Sequence, residues 1–296
     1  MPATDRFNQI SSLLYNTSLV AVHSAYRILP CHGYIRHTGH LAGTPTPLVG
    51  FLFSFPTWAD PGTLPVPLHT ILSESYASEK ATAPALGVRL SLAKQLALSL
   101  YSLQCARWLH RKLSNRNVIF FRSKETETLD LSRAFLSGFS SSRPDDQLVY
   151  GPSEANGWKG YDIAYVHPTQ LSSAGRRYRR SDDVYALGIL LLEIAFWEPS
   201  QVFERKGMAA IRGLSNVSEV SSTIMSVAVE ELPAEMGERY RDVVMGCLSG
   251  IRGRRPERGW KNGEWYDGKN DKGDREAGLE VDFFWNVIRE LENIRV

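Results

Sequence analysis

Residues 181–197, SDDVYALGILLLEIAFW, constrain the fold more than any other stretch. Behind Asp182 and Asp183 the residues are apolar on nearly every face of a helix that turns every 3.6 residues. Such a helix has no side to offer water, so other elements must enclose it. Its apolar part, 184–197, is too short and too acid-flanked to span a bilayer. A buried central helix in a helix-rich lobe follows.

A second stretch, 103–121, reads LQCARWLHRKLSNRNVIFF. Its periodicity predicts the end of an amphipathic helix over 90–109. A polar loop at 110–117 comes next, then a short apolar strand at 118–121 that pairs with another at 133–139. Ahead of these, 4–15 reads as a helix with Phe7, Ile10, Leu13 and Leu14 on one face. Residues 26–37 and 47–56 read as strands joined by a Gly-, Thr- and Pro-rich loop, and 65–75 as a short helix. Beyond the central helix, 216–230, 235–248 and 281–294 are helical, while 252–278 is a polar loop. A few strands followed by many helices make an α+β class.

Charge and cysteine content narrow the partners. With 34 Lys and Arg against 32 Asp and Glu, the net charge of +2 carries no mandate for nucleic acid or an acidic membrane. Two arginine clusters stand out, Arg176, Arg177, Arg179 and Arg180, and Arg252, Arg254, Arg255 and Arg258. Either they bind phosphate, a phosphopeptide or RNA, or they are solvated loops beside Asp182, Asp183 and Glu257. The lack of interleaved aromatics favours the second. Trp260 and Trp265 either pack on the lobe or meet a partner. Cys31, Cys105 and Cys247 lack metal-ligand spacing and read as buried free thiols in a reducing compartment. The start, MPATDRFNQ, has neither a signal core nor a transit pattern. The expectation is a soluble cytoplasmic protein with no membrane and no nucleic-acid partner.

Together, the two stretches resemble the catalytic loop and central helix of eukaryotic protein kinases, whose loop reads His-Arg-Asp, four more residues, then Asn. Here the string is His110, Arg111, Lys112, Leu113, Ser114, Asn115, Arg116, Asn117. The chain is similar in particular to kinase-like domains of filamentous fungi found beside prion-inhibition or incompatibility modules. That likeness is carried by 108–110, 117–121, 188–197 and 236–244. The resemblance implies a kinase-like α+β fold with a truncated small lobe at 1–58, a helical large lobe at 59–296 and an activation-segment-like loop at 138–170. It implies that Asp183 ties down the loop and that His110, Gly188 and Pro168 are scaffold. Thr169 stands where the kinase pattern has a Glu bonded to a late Arg.

Kinase chemistry needs a Gly-rich loop, a strand Lys held by a helix Glu, a catalytic Asp, and an Asn and an Asp on magnesium. No glycine precedes Gly33, and the first lysine and glutamate, Lys80 and Glu74, lie beyond the small lobe. Gly138-Phe139-Ser140 occupies the Asp-Phe-Gly place and offers no carboxylate to a hard cation. Lys112 replaces the catalytic Asp. At a pKa of ~10.4, only about 0.04% of a lysine is neutral at pH 7. Lys112 therefore reads as a surface cation, or one that attracts a phosphate or pairs with an acid, rather than as a base. Asn117 is either a magnesium ligand or a brace of the loop. The resemblance thus implies an inactive pseudokinase that binds protein partners and uses no cofactor. Two alternatives stand beside it: an active Ser/Thr kinase using ATP and magnesium, and a fragment of a kinase whose Gly-rich loop lies upstream.

Overall fold

The computed structural model describes residues 3–19, 26–41, 44–78, 82–145, 160–172, 176–200, 217–251 and 278–296. Helices and strands are mixed, with the helices dominant. No helix among the described residues is long and apolar enough to cross a membrane.

The front of the chain is helix α1, Ala3–Leu19, lying on an antiparallel hairpin of β1, Cys31–Leu41, and β2, Thr44–Phe53. Ile10 and Leu14 of α1 are fully buried. Phe7 meets Tyr34 and Phe51 in a triangle of rings 5.9–6.3 Å apart, so one face of the hairpin is closed by aromatic packing. Ile35, Leu48 and Leu52 stand on the strands but remain exposed. The loop expected at 37–47 is mostly strand, and pairing runs out to Leu41 opposite Thr44. Thr38, Thr44 and Thr46 suit a pleated strand. Pro45 and Pro47 are tolerated because β2 has a partner on one side only among the described residues.

The hairpin leads through 54–67 to β3, Val66–Pro67, and helix α2, Leu68–Ala77. Helix α3, Leu86–Cys105, follows. It was expected to reach Leu109 but stops at Cys105, and Arg107 takes a left-handed φ of +57°. Trp108 and Leu109 instead form β4, paired with Pro144 and Arg143, so a sheet ladder competes successfully with the last helical turn. Cys105 is exposed, which corrects the expectation of three buried thiols; Cys31 and Cys247 are buried. The expected hairpin after the polar loop is present as β5, Val118–Phe120, and β6, Phe135–Leu136, with β3 on the outer side of β5.

Helix α4, Pro168–Ser172, precedes the central helix α5, Arg180–Phe196. Every residue from Asp182 to Ala195 is buried. Helix α6, Val217–Glu230, and the short α7, Leu232–Met236, lead to α8, Glu238–Ser249. The chain closes with α9, Leu279–Phe283, a π-helical turn, Phe284–Ile288, and α10, Arg289–Asn293. The last helix was expected as one continuous element over 281–294. Helices α3 and α8 both pack on α5, which explains why its apolar character runs all the way round. The closest approach is at Gly188, where a Cβ would lie 2.9 Å from a methyl of Leu248 and 3.0 Å from Cβ of Cys247. The Tyr240 hydroxyl donates to the Leu191 carbonyl at 2.8 Å, bonding α8 to α5.

Gly188→Val is expected to force α5 and α8 apart and cost about 1–3 kcal/mol, the range for overpacked cores. Urea unfolding monitored by tryptophan fluorescence measures it. An unchanged midpoint would mean that the two helices are not in this contact.

Candidate functional site

The polar loop 110–117 is held by one carboxylate. Asp183, fully buried in the first turn of α5, accepts the His110 N–H on Oδ2 at 2.8 Å and the Arg111 N–H on Oδ1 at 2.9 Å. The Tyr178 hydroxyl donates to Oδ1 at 2.7 Å. Burial raises the Asp183 carboxyl to about 6, although all three donors pull the other way. The grip lets Arg111 hold a left-handed φ of +68°, unusual for a residue with a side chain. The Arg111 guanidinium lies 5.5 Å over the Tyr178 ring and donates to the Ser141 carbonyl at 3.3 Å.

His110 is buried and, through desolvation, lowered to about 4, so its ring is neutral at pH 7. Its Nε2 faces the Ser137 carbonyl at 2.8 Å and must donate, while Nδ1 accepts the Lys112 N–H at 3.3 Å. Both ring nitrogens are spent on backbone. The ring also packs edge-on against Phe139 at 4.9 Å. Its position is that of a brace between the loop and the segment 137–139.

Asn117, Gly138 and Lys112 meet at one place. The Asn117 side-chain amide donates to the Lys112 carbonyl at 2.6 Å, and the Asn117 backbone carbonyl accepts the Ser137 N–H at 2.8 Å. Gly138 takes a φ of +81°, which L side chains rarely adopt. A Cβ there would come within 3.0 Å of three side-chain atoms of Asn117. The volume a side chain at 138 would need is filled by that amide. Lys112 is exposed. These residues, with Leu113, Ser114, Arg116, Ser140 and Tyr165, line a cavity of about 250 Å³. A magnesium nucleotide does not fit this donor set: a hard divalent cation wants several oxygens, carboxylates above all. Among the described residues, the only side-chain oxygens in the wall are the Asn117 amide and three hydroxyls. No cluster of three His, Cys, Asp or Glu suited to a metal occurs among the described residues.

Behind the cavity lies a buried acid that the reading of the loop alone did not single out. Glu193 accepts from the Asn115 amide at 3.0 Å, the Tyr165 hydroxyl at 2.5 Å and the Ser200 N–H at 2.7 Å. Burial raises its carboxyl to about 7. Its signal in the sequence was a single acid inside LLLEIAF, since a charge in an apolar run needs partners. Tyr178 carried no such signal.

The remaining residues singled out in the sequence lie elsewhere. Pro168 opens α4, and the Thr169 hydroxyl bonds the His167 ring at 2.8 Å. Of the first arginine cluster, Arg176 pairs with Asp182, while Arg180 bridges Asp145 and Glu280. Asp182 also accepts the Arg179 N–H at 2.7 Å, capping α5. Arg252, Arg254, Arg255, Arg258, Trp260 and Trp265 lie outside the described residues.

The family model DUF7580, described as a domain of unknown function, matches residues 64–292. No curated protein sequence matches the chain. Among solved structures, the chain is similar to a ROP18 kinase domain in complex with AMP-PNP and sucrose, at 18% identity and a TM-score of 0.47. That likeness covers 81% of this chain, which spans only 60% of the other.

Two measurements probe the site. Asp183→Ala strands the His110 and Arg111 N–H groups and the Tyr178 hydroxyl, and is expected to cost about 3 kcal/mol or more by urea unfolding, at about 1–3 per stranded group. Asp183→Asn, which keeps one acceptor oxygen, costs less. The second measurement is pH-dependent. Glu193 is raised from 4.5 to about 7 on folding, so its contribution is fully present below 4.5 and is lost as pH rises through 7. Relative to Glu193→Gln, the protein is expected to lose about 3 kcal/mol between pH 5 and 8, at ~1.36 kcal/mol per unit. A pH-independent difference would contradict the buried carboxyl.

Proposed function

We propose that this chain, which belongs to the DUF7580 family, is a kinase-like interaction module that does not transfer phosphate. Three features support a kinase-like reading. A buried central helix opens with an aspartate that grips a His-Arg loop by its backbone. An asparagine seven residues after that histidine bonds back into the loop. A short hairpin and a Gly-Phe segment follow it. On this reading α1 and the β1–β2 hairpin are a reduced small lobe, and 59–296 is the helical large lobe.

The inactive reading is carried by one observation, the Asn117 amide filling the space in front of Gly138. The loop keeps its shape without an acid at either 112 or 138, because Asp183 and His110 hold it through backbone atoms. A surface lysine at 112 puts a positive charge where phosphoryl transfer to a hydroxyl needs a proton acceptor. What remains is a folded surface for protein partners. The cytoplasmic, fungal and signalling setting belongs to this proposal through the resemblance of the loop and central helix.

The test is incubation of the full chain with magnesium and labelled ATP. No label is expected on the protein itself or on a basic acceptor protein, and magnesium is not expected to strengthen ATP binding. Lys112→Asp combined with Gly138→Asp should not create activity. Gly138→Asp alone should cost about 1–3 kcal/mol, through its left-handed backbone and the crowding by Asn117. Magnesium-dependent transfer that disappears in Asn117→Ala would establish the active-kinase alternative instead.

A further inference from the structure

A second cavity, of about 350 Å³, shares no residue with the one at the polar loop. Three segments enclose it. The start of α3 supplies Leu86 and Leu90, four residues apart and so on one face of the helix. The junction of α7 and α8 supplies Met236 and Gly237. The chain beyond α10 closes the third side. There Ile294 is extended, and its carbonyl accepts from Lys94 Nζ of α3 at 3.2 Å, which ties this segment to the helix opposite. Leu90 and Met236 are buried, and Leu86 and Ile294 partly so, which makes the floor aliphatic. Gly237 has a φ of +86° and nothing within 4 Å of where a Cβ would lie, so the space reaches the backbone there.

Two cations stand at the mouth. Arg239 of α8 and Arg295 both line the cavity and both are exposed. Among the described residues neither joins an ion pair or a side-chain hydrogen bond. The acids beside them in the chain are directed elsewhere: Glu235 pairs with Arg89 at 3.5 Å, and Glu292 with Arg289 at 3.1 Å. Glu238 and the carboxylate of Val296 form no ion pair with either guanidinium. Water over an aliphatic floor finds few hydrogen-bond partners, so hydrocarbon displaces it readily. A guanidinium matches a carboxylate through its planar fork of donors. An aliphatic floor under two unpaired arginines therefore suits a ligand with a hydrocarbon tail and one anionic head. No aromatic ring lines the cavity among the described residues, so a flat heterocycle has nothing to stack on. The volume equals roughly twelve waters at ~30 Å³ each, and lies within the ~300–1,000 Å³ of small-molecule pockets.

We propose that this cavity binds an aliphatic monocarboxylate of about ten carbons, a size set by room for about a dozen heavy atoms. Its tail lies on Leu86, Leu90, Met236 and Ile294, and its carboxylate is met by Arg239 and Arg295. The inference goes beyond the interaction-module reading and does not rest on it, since the two cavities have no residue in common.

The experiment is isothermal titration of the full chain with hexanoate, octanoate, decanoate and dodecanoate, each kept below its micelle concentration, and with decyltrimethylammonium as the cationic control. Affinity is expected to rise by up to about fourfold per added methylene, the scale of burying one such group. It levels off near decanoate, where the cavity is full. Reversing both exposed charges in Arg239→Glu/Arg295→Glu is expected to weaken decanoate roughly tenfold, as for two exposed ion pairs. Arg107→Glu changes the net charge at an exposed arginine outside the cavity and should leave affinity unchanged. Thermal unfolding confirms that the variants are folded. Four results overturn the proposal: no decanoate binding, equal binding of the cationic control, affinity that climbs through dodecanoate without levelling, or unchanged affinity in the double variant. Phosphate transfer would overturn the inactive reading and leave this one standing, so the two fail separately.

Discussion

One buried carboxylate organises the site. Asp183 sits where the apolar central helix begins, and its two oxygens accept from two consecutive backbone N–H groups and a tyrosine hydroxyl. An anion with no exposed surface is costly unless its acceptor positions are met. Here they are met by the loop it must hold. The helix fixes the carboxylate, the carboxylate fixes the backbone at 110 and 111, and that backbone aims His110 at Ser137 and leaves Lys112 facing outward. The geometry uses main-chain atoms, so it tolerates a change of side chain at 112. The form of the loop therefore does not depend on the side chain at 112.

The packing of Gly138 against Asn117 follows the same logic at closer range. A left-handed glycine lets the chain turn tightly toward the short helix at Phe139–Ser141. It also leaves room into which the Asn117 amide folds, bonded to the Lys112 carbonyl. The bare glycine and the folded-in amide form one packing arrangement. A side chain placed at 138 would meet a filled space and a backbone angle hostile to it. The described wall of the pocket holds Lys112, Arg116 and three hydroxyl side chains.

Much of this was legible in the sequence where pattern and burial coincide. The all-round apolarity of 184–197 leaves a helix no alternative to the interior, and α3 and α8 do enclose it. Features set by contacts between distant segments were not legible. The end of α3 was expected at Leu109, but pairing of Trp108 and Leu109 with 143–144 depends on a strand far along the chain. Cys105 lies in an apolar run, yet the face it takes is decided by how α3 packs. The hairpin outgrew its expected loop because strand pairing compensates for a Gly- and Pro-rich composition. Tyr178 and Tyr165 had no pattern of their own, since each matters only through the acid it meets.

The central claim of the proposed reading is that the Asn117 side chain is committed to the loop rather than to a metal ion. Titrating manganese into the protein with ATP present, while following the Asn117 side-chain amide by nuclear magnetic resonance, tests this most directly. A resonance that stays sharp throughout, consistent with an amide still bonded to the Lys112 carbonyl, is the predicted result. Stoichiometric broadening of that resonance, reversed by magnesium, would contradict the account.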